Sequence, residues 1–225
     1  MIKKVLFIGL LLMSFTSLHA QKIITQLPDT ISNWKKENKI GFDVSQNAFL
    51  NWNAGGNNSV AGLLKGNFKR DYIEDKCNWR NELIFRYGIN KQEGREARKT
   101  DDQLQVNSTF GYRSDTISNW FYAGKFNFNT QFANGYAYPN TDLAISKPFA
   151  PAYVFLGIGT EYKRKDLNLN VYISPLTLKT TFVFDEMLSN QGAFGVDIGK
   201  KHRTEVGFLL TNNYKTEIYK NMVLE

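Results

Sequence analysis

Alternation constrains this chain more than any other feature. From Lys39 to Tyr72 it reads as two extended segments joined at Asn53-Ala54-Gly55-Gly56-Asn57-Asn58. On the first, Ile40, Phe42, Val44, Ala48, Leu50 and Trp52 take the even positions, and Lys39, Asp43, Ser45, Asn47 and Asn51 the odd ones. The second sets Val60, Leu64, Phe68 and Tyr72 against Ser59, Lys65, Asn67, Lys69 and Asp71. Side chains alternate faces along a strand, so each segment presents one apolar and one polar face. Several of the segments run to about ten residues or more, where globular strands have ~5–6. The pattern predicts an all-β fold: an antiparallel up-and-down transmembrane β-barrel.

Later segments continue the pattern. Cys77, Trp79, Leu83, Phe85, Tyr87 and Ile89 alternate with Asn78, Arg80, Glu82, Arg86 and Asn90. Leu104 to Tyr112 and Trp120 to Phe132 read as the next strands, followed by a long connection from Ala133 to Pro151. Val154 to Tyr162 and Leu167 to Ile173 come next, and Ser174-Pro175 is expected to end the second of them, because proline cannot donate to a ladder. Leu176 to Gly192 reads either as an inserted loop or as a further strand with a short plug, and the segment is the candidate plug of the lumen. Phe194, Val196 and Ile198 suggest a further strand, Val206 to Leu210 another, and Glu217 to Leu224 a partial last one, about ten in all. Connections near 74, 115, 165 and 201 read as short and those near 53, 91, 133 and 175 as longer, the asymmetry of outer-membrane barrels.

The N-terminus supplies an address. Met1-Ile2-Lys3-Lys4, the apolar run Val5–Phe15 and the small residue Ala20 before Gln21 have the layout of a cleaved signal peptide over residues 1–20. Residues 21–38 read as a periplasmic lead-in and 39–225 as the barrel domain. The apolar run is shorter than the ~20 residues of a helical span, and no other such run follows. Only a closed barrel would then pair every backbone group inside a bilayer. Loss of Lys3 and Lys4 takes the net charge from +7 to +5. The remaining basic residues are scattered, which fits a solvated surface or anionic lipid and argues against nucleic acid.

Two sets of residues follow from the barrel reading. Lys65, Lys69, Arg80, Glu82, Arg86, Lys125 and Glu161 fall on polar phases and are candidate lumen-lining groups, filling a narrow interior with ion pairs or tuning a wider one. Trp52, Tyr72, Trp79, Tyr112 and Trp120 lie near strand ends and are candidate interfacial aromatics.

At Gly41-Phe42 and Asn51-Trp52-Asn53-Ala54-Gly55-Gly56-Asn57 the chain resembles an uncharacterised family of Bacteroidota outer-membrane proteins, a domain of unknown function. Ile173-Ser174-Pro175-Leu176-Thr177 and Gly192-Ala193-Phe194-Gly195-Val196 look like a second block of the same family. The resemblance implies a barrel without an assigned activity. It also implies a C-terminal truncation, since members run on past Asn221-Met222-Val223-Leu224-Glu225.

Catalytic chemistry is thinly represented. His202 is the sole histidine after residue 20, and it stands between Lys201 and Arg203. Cys77 is the sole cysteine, so no intramolecular disulfide and no ordinary zinc site is expected. Asp101, Asp102, Asp166, Asp185 and Glu186 lack EF-hand spacing and read as solvated charge. No catalytic set, metal or cofactor is expected. The leading expectation is a non-enzymatic outer-membrane protein with a structural, scaffold or partner-binding role, its partners being outer-membrane lipid and other envelope proteins. A passive pore for small solutes, a membrane-embedded lipid-modifying enzyme and a secreted soluble β-sandwich are the alternatives.

Overall fold

Eight of the alternating segments do form long strands. The computed structural model describes residues 33–49, 56–220 and 222–224. Within the compact unit Asn33–Glu225, the strands are β1 (Trp34–Asn47), β2 (Ser59–Ile73), β3 (Cys77–Gln92), β4 (Arg98–Tyr112) and β5 (Trp120–Thr130). After β6 (Gly135–Tyr136) and β7 (Ala144–Ser146) come β8 (Ala152–Arg164), β9 (Leu169–Phe182) and β10 (His202–Tyr214). The expected signal peptide, most of the lead-in and Trp52 lie outside the described residues. β1 opens at Trp34 rather than Lys39.

The sheet is an antiparallel meander in the order β1-β2-β3-β4-β5-β8-β9-β10. Register keeps the faces in phase: Phe42 lies opposite Leu64, Phe68 opposite Leu83, Phe126 opposite Leu156, and Leu156 opposite Leu178. One face is predominantly apolar, with Arg70, Asn81 and Ser108 among its exceptions, and the other predominantly polar, with Leu63, Ile84 and Phe155 among its exceptions, so a slip of one residue would invert a strand. The connections 74–76, 113–119 and 165–168 share one end of the sheet with the start of β1, and the end of β1, the start of β2 and the connections 93–97, 131–151 and 183–201 share the other. The expected asymmetry holds in part: 93–97 is shorter than 113–119, no connection lies near 175, and the expected short turn near 201 belongs to the long connection 183–201 at the opposite end.

Closure is where the expectation fails. Among the described residues β1 and β10 are edges, paired only with β2 and β9, so the sheet is open and not a closed barrel. The long strands number eight, not about ten. Pro175 does not end its strand: β9 runs through it at a bulge, where a missing N–H is tolerated. At that bulge Gly159 is required, since a Cβ there would stand 2.0 Å from the Ile173 carbonyl oxygen. Ser174 Oγ reaches the carbonyls of Ile158 at 3.0 Å and Leu176 at 2.8 Å, occupying acceptors that the bulge frees.

The candidate plug is also divided. Leu176–Phe182 belongs to β9, and the rest enters the 183–201 connection with helix α1 (Glu186–Asn190). No strand forms over Phe194–Ile198. Gly192, Phe194, Gly195 and Gly199 all have positive φ, which breaks an extended run whatever its alternation. Val183, Leu188 and Val196 instead bury a small core with Ala150 of the neighbouring connection. The last segment pairs with itself as β11 (Thr216–Tyr219) and β12 (Met222–Leu224), apart from the main sheet.

Candidate functional site

All seven predicted lumen-lining residues lie on the polar face, because register carries the phase across every strand: Lys65 opposite Arg86, Lys69 opposite Glu82, Arg80 opposite Asp71. They divide into two groups. In the first group the pairs join neighbouring strands and are part-exposed. Lys65 Nζ lies 2.6 Å from Asp43 Oδ2, Arg86 Nη2 lies 2.6 Å from Asp101 Oδ2, and Lys69 Nζ lies 3.6 Å from Glu82. Glu82 also accepts from Asn67 at 2.7 Å and Asn107 at 3.3 Å. A run of carboxamides continues from it along β4 and β5: Gln103 donates to Gln105, Gln105 to Asn107, and Asn127 to Asn107.

The second group is drawn across the sheet. The Arg80 guanidinium on β3 donates to Glu161 on β8 at 3.1 Å, passing over β4 and β5. Lys163 donates back from β8 to Asn78 on β3 at 3.1 Å. Only a sheet curled toward its polar face brings these strands within side-chain reach, so the face is the floor of a trough. The Glu161 side chain is 0% exposed. Lys163 Nζ lies 2.7 Å from its other oxygen as an ion pair, without hydrogen-bond alignment. Lys125 Nζ sits 3.9 Å above the ring of the fully buried Tyr172, a cation–π contact. A carboxylate cut off from solvent is costly unless paired, and here two cations hold it. Lys163, Tyr172 and Asn78 were not singled out in the sequence. Lys163 had a readable signal, standing two residues from Glu161 on the same face.

The apolar face carries the four predicted aromatics that fall among the described residues. Tyr72 lies opposite Trp79, Cys77 opposite Tyr112, Tyr112 opposite Tyr122 and Trp120 opposite Tyr162. All lie at the end with the shorter turns. Trp34, missed in the sequence, joins them at 5.3 Å from Tyr72 and 5.8 Å from Trp79. A second aromatic group forms toward the other end, where Phe132 stacks on Phe85 at 5.1 Å and lies 5.6 Å from Tyr87.

Four of the five acidic residues considered for calcium are otherwise engaged: Asp101 with Arg86, Asp102 with Lys99, Asp166 with Arg164, and Asp185 with Lys147; the fifth, Glu186, opens helix α1. Among the described residues no cluster of three metal-ligating side chains occurs, and no helix is long and apolar enough to cross a membrane. His202 is exposed at the start of β10.

Fold and site together define an all-antiparallel β protein, membrane-compatible in pattern, with one apolar face and one ion-paired face. Residues 44–136, from the end of β1 into β6, match the model of a family described as a protein of unknown function (DUF3078). The expected resemblance to an uncharacterised family holds over those residues, which take in Arg80 and Lys125. Glu161, Lys163 and the second resembling block at 173–196 lie beyond the match. No curated protein and no solved structure matches the chain.

Proposed function

We propose that the protein is a non-enzymatic outer-membrane β-barrel protein, exported by its N-terminal signal peptide and serving a structural or partner-binding role in the envelope. One observation carries this reading: the apolar face is uncovered across all eight strands. Ile40 is 75% exposed, Ile158 64% and Val206 67%. A soluble protein rarely leaves more than a few hundred Å² of contiguous apolar surface bare. The sandwich alternative needs a second large sheet over this face, and the described residues form none. Strand length agrees. The run from Trp79 to Tyr87 between the two aromatic groups measures ~27 Å along the strand, or ~20 Å once tilted, close to the ~25 Å apolar band of such barrels.

Lipid also requires that backbone groups on the edges be paired. We infer that β1 and β10 are sealed in the membrane; they run in opposite directions, so antiparallel closure suits them. The ion-paired trough favours a filled interior over an open passive pore, and His202, the histidine a lipid-modifying enzyme would have to use, lies exposed at the start of β10. Envelope fractionation followed by heat-modifiable migration tests the proposal. The expected result is a membrane-bound protein whose unboiled form runs as a compact, faster band. Recovery in the soluble periplasmic fraction overturns it.

A further inference from the structure

Two cavities flank the Arg80–Glu161 contact. One, of about 540 Å³, opens toward the end with the shorter turns and is lined by Asn78, Arg113, Phe121 and Lys163. The other, of about 370 Å³, lies further along the trough and is lined by Lys69, Lys125, Glu161 and Asn170. Arg80 lines both. What separates them is the pair of links from β3 to β8, Arg80 to Glu161 and Lys163 to Asn78. Arg80 is half-exposed, reaching toward solvent on either side, while the carboxylate it holds is wholly shut off.

We propose that Arg80, Glu161 and Lys163 form a removable partition, and that the polar face is a latent anion-conducting path which this partition closes. The inference rests on the membrane reading above. Glu161 is the keystone of the arrangement: it alone joins the cation of β3 to the cation of β8. The three nearby cations, Arg80, Lys163 and Lys125, hold one carboxylate among them. Lys125 has an aromatic ring rather than an acid as its closest partner. Without Glu161 only the Lys163–Asn78 hydrogen bond still crosses the constriction, and three positive charges remain without the carboxylate that drew them together. They repel one another into the adjoining cavities, and the passage that opens carries a cationic excess. Rings of Arg and Lys select anions in pores. Other acids line the two cavities: Asp71, opposite Arg80, and Glu82 in one, and Glu74, Asp75 and Asp166 in the other. Glu82 is already held by Lys69, Asn67 and Asn107 and Asp166 by Arg164, and once Glu161 is gone the basic residues still outnumber the acids by one in each cavity.

The test is conductance of full-length protein reconstituted in lipid bilayers under a KCl gradient, with insertion checked independently by heat-modifiable migration. The parent protein is expected to insert and stay silent. Glu161→Ala is expected to insert and conduct, its reversal potential displaced toward that of chloride. Arg80→Ala cuts the same partition from the other strand and leaves the Glu161–Lys163 pair intact. It is expected to conduct with a smaller displacement, and it decides the matter if Glu161→Ala fails to insert. Inserted variants that remain silent overturn the proposal, as does a parent that conducts equally well. Conductance with no preference for chloride overturns the cationic lining. If no form inserts, the membrane reading fails and this proposal falls with it.

Discussion

On the apolar face of the sheet Phe42, Leu64, Leu156 and Leu178 each touch neighbours of their own kind, and no one of them organises the others. On the polar face Glu161 gathers groups from β3, β5 and β8 that are far apart in sequence; Arg80 alone is 81 residues away. The first face is therefore a distributed property in which any apolar residue serves. The second is a keyed one, in which a few positions have assigned partners and the remainder tolerate change.

An arginine at Leu156 probes the first half of that comparison most sharply. If this face meets lipid, Leu156→Arg lowers stability by about 2–4 kcal/mol, measured by denaturant unfolding from vesicles. The same residue at Gln103, on the polar face of β4, shifts it by about 0.5 kcal/mol. Equal effects at both positions erase the distinction between the faces.

A smaller effect is expected outside the sheet. Asp185 caps helix α1 through the Leu188 N–H at 3.1 Å and pairs with Lys147 at 2.7 Å. The Lys147 ammonium, and after it that backbone N–H, holds the carboxyl below its usual range. A depressed folded-state pKa means that the stabilisation is complete above the unfolded value near 3.8 and is lost as pH falls through the folded one. Asp185→Ala should loosen the 183–201 connection by about 1 kcal/mol at neutral pH, read as faster limited proteolysis within it. The gap between variant and parent should close as the pH drops below the carboxyl's depressed pKa; a gap that persists removes the carboxylate from the account. Least of all is expected at Lys65, whose pair with Asp43 is about half-exposed on both sides. Lys65→Ala should cost under about 1 kcal/mol, and a larger loss in the same unfolding assay would make that pair part of the keyed set.

The distributed face was legible because period two is a local signal: Ile40, Phe42 and Val44 reveal it without reference to any other strand. The keyed face was legible residue by residue and not as an assembly. Arg80 and Glu161 could be assigned to a polar phase, but their meeting depends on the curl of the sheet, which no alternation encodes. Two local signals also misled. Pro175 reads as a strand end, yet a bulge supported by Ser174 and Gly159 absorbs it. Phe194, Val196 and Ile198 alternate like a strand, yet glycines at 192, 195 and 199 turn the backbone first. The open edges were not legible in the strand pattern, which records faces and says nothing of which strand lies last; the implied C-terminal truncation alone pointed to incomplete closure.

The meander has a consequence for how the protein is made. Every long strand pairs with its neighbour in the chain; even β5 and β8 are separated only by the small hairpin of β6 and β7. Loop closure is then inexpensive at each step and contact order stays low for so large a sheet. The wall can grow by zippering, one hairpin after another, as the chain is delivered. An added or deleted hairpin leaves the directions of the first and last strands unchanged. A gene encoding such a chain can change the width of its sheet two strands at a time, without altering how its first and last strands are oriented to one another.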